Sequence, residues 1–208
     1  MEKVLDCYEK PYNEDYPVVC FDERPCQLIE DVLQPMPIQE GQPKREDYHY
    51  KRNGTATVLA AVEPLKGKRI VEVRKQKTKK DYAEFMSEVA KRYSKAKKII
   101  LIQDNLNTHN PSSFYENMQA EEAFALSQRF EMIYTPKKAS WLNMAEIEFS
   151  ALSKQCLDRR IGNLKTLTSE VESWTKKRNK HKIKINWQFT KNKARKKFDR
   201  FYGDIIKN

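Results

Sequence analysis

No apolar run in the 208-residue sequence approaches the ~20 residues that a membrane-spanning helix needs. The four cysteines, Cys7, Cys20, Cys26 and Cys156, make no C-x-x-C pair, and there are three histidines in all. Neither a zinc site nor a disulfide framework is indicated, and a reducing, cytoplasmic setting follows. The opening stretch lacks the apolar segment of a secretory signal and is instead acidic, with nine acids against three bases in residues 1–31. Internal repeats are absent. With 39% hydrophobic and 33% charged residues, the chain reads as one soluble domain, large enough for a core and with much solvated surface.

What the sequence has in excess is positive charge, +11 net, and it is unevenly placed. Residues 44–80 hold twelve bases against four acids, and residues 174–202 hold twelve against one. One lysine-rich helix can be no more than a solvated face. Two such tracts, interleaved with Tyr48, Tyr50, Trp174, Trp187 and Phe189, are what a phosphate backbone attracts, so the expected partner is nucleic acid.

Three carboxylates stand out against this background. Ile99-Ile100-Leu101-Ile102 reads as a strand buried on both faces, which puts Asp104 at its carboxyl end, where open α/β sheets bind ligands. Tyr16 to Phe21 is a second apolar run, ending in Asp22-Glu23. Glu146 follows Ser-Trp-Leu-Asn-Met-Ala into a third element, a helix. Together they suggest a metal site built from oxygens, suited to hard divalent ions. Each also has a plainer reading. Asp22 and Asp104 suit turns. Asn143 as N-cap would make Glu146 the acid of a capping box, with Leu142 and Ile147 as a hydrophobic staple. On a helical wheel Ala145, Phe149, Leu152 and Cys156 form the apolar face, with Glu146 and Glu148 at opposite borders, and periodicity does not choose between them. His109 reads as an exposed loop residue and Trp141 as a core anchor.

In chain order, Val4, Leu5 and Tyr8 mark a helix end or an arm. The strand ending at Asp22 is followed by a proline-rich excursion, Pro25 to Pro43, holding a short strand at most. Thr55–Val62 and Arg69–Arg74 form a hairpin turned at Pro64–Gly67. A helix over Asp81–Ala96, starting at Thr78 or Lys80-Asp81, carries Tyr82, Phe85, Met86, Val89 and Tyr93 on one side. The central strand comes next, then a helix over Ser113–Gln128, a strand over Phe130–Thr135 and the helix after Asn143. The expected division is an N-terminal arm (1–15), a core (16–161) and a basic helical extension of it (162–208).

At these residues the chain resembles a known family. Cys-Phe-Asp-Glu (20–23), Gln-Asp-Asn-Leu-Asn-Thr-His (103–109), Tyr-Thr-Pro-Lys-Lys-Ala-Ser-Trp-Leu-Asn-Met-Ala-Glu (134–146), Lys-Gln-Cys-Leu (154–157) and Ile-Asn-Trp-Gln-Phe-Thr (185–190) are similar, in that order, to the catalytic domain of bacterial insertion-sequence transposases of the mariner-related branch of the DDE superfamily. The resemblance implies an α/β, ribonuclease-H-like mixed sheet flanked by helices. It implies a catalytic and metal-binding triad of Asp22, Asp104 and Glu146, since the family's glutamate follows an asparagine by three residues, and so demotes Glu148. Two Mg²⁺ or Mn²⁺ ions about 4 Å apart would serve strand cleavage and transfer, with Asp22 bridging them.

Expected DNA contacts are His109, Lys193, Arg195, Lys196 and Lys197. Family members carry helix-turn-helix modules ahead of the catalytic domain, and the stretch before Asp22 is too short for one, so the expectation is a catalytic half acting with a separate recognition part. A homodimer and a nucleoid-associated location are compatible with it. The alternatives are another ribonuclease-H-like nuclease, against which Trp141-Leu142-Asn143 argues, or a catalytically inactive DNA-binding remnant, against which three intact carboxylates argue.

Overall fold

The computed structural model describes residues 1–33 and 48–199. Five strands form one mixed sheet: β1 (Val18–Asp31), β2 (Tyr50–Glu63), β3 (Lys68–Arg74), β4 (Ile99–Gln103) and β5 (Phe130–Tyr134), in the order β3-β2-β1-β4-β5. β1, β2 and β3 are antiparallel neighbours, and β1, β4 and β5 run parallel. Helices α2 (Lys79–Arg92), α3 (Ser112–Tyr115) and α4 (Ala120–Gln128) supply Tyr82, Phe85, Phe114 and Leu126 to the core on one face. Helices α1 (Glu2–Glu9), α5 (Ala145–Gln155), α6 (Leu164–Lys180) and α7 (Lys191–Lys197) supply Leu5, Phe149, Val171 and Ala194 to the other. Among the described residues no helix is long and apolar enough to cross a membrane.

Most elements stand where the patterns put them. β4 is walled in by β1 and β5 and by helices on both faces, which is why its run is apolar without alternation. Thr78 caps α2, with Asp81 completing a capping box. In the hairpin turn Gly67 has φ +69°, and a Cβ there would lie 2.5 Å from the Lys182 backbone, so the turn is pressed against the segment after α6.

Other expectations fail for local reasons. β1 does not stop at Asp22 but runs to Asp31 through Pro25, which pairs with Thr57. Pairing with β4 ends at Cys20, so beyond it this side of β1 is an edge, where a proline without its N–H is tolerated. The single helix expected over Ser113–Gln128 is two, because the Asn117 side chain bonds back to the Ser113 carbonyl and Gln119 is extended. Of the two readings of the opening stretch, a helix end or an arm, α1 (Glu2–Glu9) is a helix, with Val4 and Leu5 fully buried. Trp141 is 45% exposed and meets Phe189 edge-on, while Leu142 takes the core position. The prolines at 35, 37 and 43, the bases at 44 and 45 and the tail from residue 200 lie outside the described residues.

Candidate active site

Register places the first two carboxylates. Cys20 and Ile102 are the last paired residues of β1 and β4, and Asp22 and Asp104 each lie two residues further on, side by side where the strands part. Asp22 is half-buried. Its Oδ1 accepts the Glu23 N–H at 2.8 Å.

Glu146 is brought to the same place by Asn143, which is 1% exposed. The Asn143 amide donates to the Phe21 carbonyl at 2.7 Å and, more distantly, to Asp22 Oδ2 at 3.4 Å. Its oxygen accepts the Ala145 N–H at 3.1 Å, while its own N–H goes to the Ser140 carbonyl. The asparagine therefore ties the strand of Asp22 to the first turn of α5. The capping box of the plainer reading does not form: the Asn143 N–H goes to Ser140, and Ile147 is 43% exposed rather than stapled to Leu142. Glu146 itself is exposed.

The choice between the two glutamates is made by burial. Glu148 is 2% exposed and held by two bidentate arginines, Arg69 at 2.7 and 2.7 Å and Arg178 at 2.9 and 2.8 Å. Burial works to raise its carboxyl pKa, but the two guanidinium groups prevail and hold it below the usual range. It joins α5 to β3 and α6. Both arginines belong to the basic tracts by composition, yet both are committed to this one glutamate, and the Arg69 side chain is fully buried.

Asp22 shows the opposite balance. Burial, opposed by the Glu23 N–H and reinforced by the like charges of Glu146 and Asp104, pushes its carboxyl up to about 6. Asp104 is held down, first by its hydrogen bond to His109. His109 corrects the expectation of an exposed loop residue: it is 1% exposed, with Nδ1 2.5 Å from Asp104 Oδ1 and Nε2 3.0 Å from Glu23 Oε1. Burial works to lower its pKa, but the two carboxylates outweigh this and the net shift is upward. A ring so placed offers no nitrogen to a phosphate. Glu23 and Gln103 are the participants that the sequence did not single out. The loop residues between Asp104 and His109 carry no periodicity, and Glu23 is 86 residues from its histidine.

Carboxylate oxygens alone suit a hard divalent ion, and the repulsion felt at Asp22 is what such an ion would relieve. Among the described residues no three carboxylate, imidazole or thiol side chains stand close enough together to hold an ion. The three carboxylates would have to draw in around one. Of the expected DNA contacts on α7, Lys193, Lys196 and Lys197 are exposed, with Lys193 bonding the Gln188 carbonyl, and Arg195 pairs with Glu2.

Residues 17–168 match the family described as DDE superfamily endonuclease. No curated protein matches. Among solved structures, the Mos1 transposase paired-end complex with left transposon end aligns with TM-score 0.59 and 13% identity, over 88% of this chain and 56% of that one. The Mos1 mariner paired-end complex with Mn gives 0.58 and 14%, over 88% and 56%. The catalytic domain of Mos1 mariner transposase gives 0.56 and 11%, over 88% and 83%. The chain thus spans a little over half the length of the paired-end transposase chains. The likeness is one of fold, the ribonuclease-H-like mixed sheet with helices on both faces.

Proposed function

We propose, for a chain that belongs to the DDE superfamily of endonucleases, that Asp22, Asp104 and Glu146 are its catalytic carboxylates, and that with divalent Mg²⁺ or Mn²⁺ they cut DNA strands at the ends of a mobile element and join them to target DNA. What supports this reading is that strand register and the Asn143 cross-link direct three carboxylates, none ion-paired to lysine or arginine among the described residues, toward the same end of β1, where Asp22 feels the charges of both others. The Mos1 structures of the same fold include complexes with transposon ends and with Mn and Mg.

Bound there, divalent ions supply Lewis-acid activation of the nucleophile and charge neutralisation at the attacking and leaving oxygens. The chain's own groups prepare for this. Asp22, which senses both other carboxylates, would hold such ions together with Asp104 and Glu146. Asn143 ties β1 to the first turn of α5, which carries Glu146. The exposed bases of α7 hold the phosphate backbone without reading sequence.

Nicking of supercoiled plasmid by this chain in Mn²⁺ tests the reading. Nicking is expected for the wild type and should vanish in Asp22→Asn, Asp104→Asn and Glu146→Gln; its survival in any of the three would remove that residue from the set.

A further inference from the structure

His109 lies inside the protein, yet both its ring nitrogens face carboxylate oxygens: Asp104 Oδ1 at 2.5 Å and Glu23 Oε1 at 3.0 Å. The ring thus bridges the two side chains in a continuous carboxylate–imidazole–carboxylate chain. The Glu23 side chain is 4% exposed and that of Asp104 43%, so the chain runs from the interior out to the candidate site.

Every part of it is fixed from several sides. The ring stacks on Tyr82 at 5.1 Å and meets Phe21 edge-on at 5.0 Å. The Gln103 amide, fully buried, donates to the His109 carbonyl at 2.8 Å and accepts from the Tyr82 hydroxyl at 2.9 Å. The His109 N–H closes a turn on the Leu106 carbonyl. At Asp104 the hydrogen bonds from His109 and from the Leu106 N–H land on Oδ1, and among the described residues none goes to Oδ2. The buried Glu23 Oε2 has no hydrogen-bond partner among the described residues and lies 3.6 Å from Lys77 Nζ. A histidine serving only to neutralise Glu23 would not also need its other nitrogen on a half-exposed aspartate.

We propose that His109 and Glu23 are positioning residues for Asp104: the imidazole holds Oδ1 and so presents Oδ2 to a divalent ion, and Glu23 holds the imidazole. This rests on the reading of Asp104 as a metal ligand. Partners that orient a ligating carboxylate typically matter by about 10- to 100-fold in metal affinity.

The test is calorimetric titration of the full chain with MnCl₂, without DNA, alongside melting in chelator to verify folding. Removing the ring's donors alone would strand the Glu23 charge, so the main variant is the double E23Q/H109F, which neutralises one and deletes the other. It is expected to bind Mn²⁺ about 10- to 100-fold more weakly than wild type. E23Q/H109N returns a donor to Asp104 and is expected to recover most of the loss, which a purely structural role would not produce. Wild-type affinity in a folded E23Q/H109F, or no recovery in a folded E23Q/H109N, overturns the proposal. If the doubles do not fold, E23Q decides alone: a loss of about threefold or more supports the chain, and unchanged affinity overturns it. Wild-type protein that binds no Mn²⁺ overturns the proposed function and this proposal with it, whereas binding lost in Asp104→Asn and kept in the His109 variants overturns this proposal alone.

Discussion

Glu146 and Glu148 stand two residues apart on α5, one exposed beside two other carboxylates, the other buried between two arginines. At Glu148 six polar atoms on two guanidinium groups and one carboxylate are matched by four short hydrogen bonds. At the cluster of Asp22, Asp104 and Glu146 the like charges act on one another, and the His109 ring beside Asp104 is shared with Glu23. Compensated charge holds elements together; uncompensated charge is tolerated where something else is to be bound. The same helix does both, and the half-turn between the two glutamates decides which.

The comparison breaks most visibly at Glu148. Glu148→Ala leaves two guanidinium groups without their anion, one of them on the buried Arg69, and should destabilise the chain by about 3–5 kcal/mol. Urea melts would read this as a large fall in midpoint. A loss below about 1 kcal/mol would mean that water reaches the arginines and that the pair is a surface feature after all.

The counterpart is the uncompensated cluster, where the loss should be of activity rather than stability. Asp104→Asn and Glu146→Gln are each expected to lower plasmid nicking by about three decades, the rate equivalent of several kcal/mol of charge stabilisation. Glu146→Gln should leave the melting temperature in chelator near that of wild type, because Glu146 is exposed, whereas Asp104→Asn should lower it modestly, because the ionised Asp104 is held by His109. A fall in stability as large as that of Glu148→Ala would place these carboxylates in the structural class.

The sequence made β4 and Asp104 legible because a strand buried on both faces must be apolar throughout, and the Asn143-to-Glu146 spacing was legible too. The plainer alternative for that spacing, a local capping box, does not form, and the asparagine instead makes a cross-link to Phe21, 122 residues away. β1 was cut short because Pro25 reads as a breaker, and whether a strand has a free edge is decided by its neighbours. His109 was misread for the same reason, its burial being set by Phe21, Tyr82 and Glu23. The acidic start and basic tail were visible as composition, but nothing local says that Asp6 and Glu2 of α1 meet Lys191 and Arg195 of α7.

A gentler break uses pH. The Asp22 carboxyl sits at about 6 in the folded chain against an ordinary 3.8, so between those values the folded state binds more protons than the unfolded one. Stability from this group is therefore lost as pH rises from about 4 to 6, and the penalty is complete at pH 7 and amounts to at most about 3 kcal/mol. Asp22→Asn, which never ionises, should melt higher than wild type at pH 7 in chelator and match it at pH 4. A gap that persists at pH 4 would trace to packing rather than charge.

The smallest stability effect belongs to the surface, and it sharpens the comparison by separating pairing from function. Arg195 meets Glu2 at 2.7 Å with side chains 57% and 35% exposed. An ion pair that open contributes under about 1 kcal/mol, so Arg195→Ala should hardly move the melt. The same arginine belongs to the basic face of α7, where Lys193, Lys196 and Lys197 are also exposed. Neutralising all four should weaken binding to random duplex and to duplex bearing element ends alike. It should also lower the slope of log K against log salt by about 0.9 for each phosphate that is no longer neutralised. A titration across salt concentrations in which the slope does not change would mean that α7 holds α1 and touches no DNA, and its charge would join that of Arg69 and Arg178 as internal compensation.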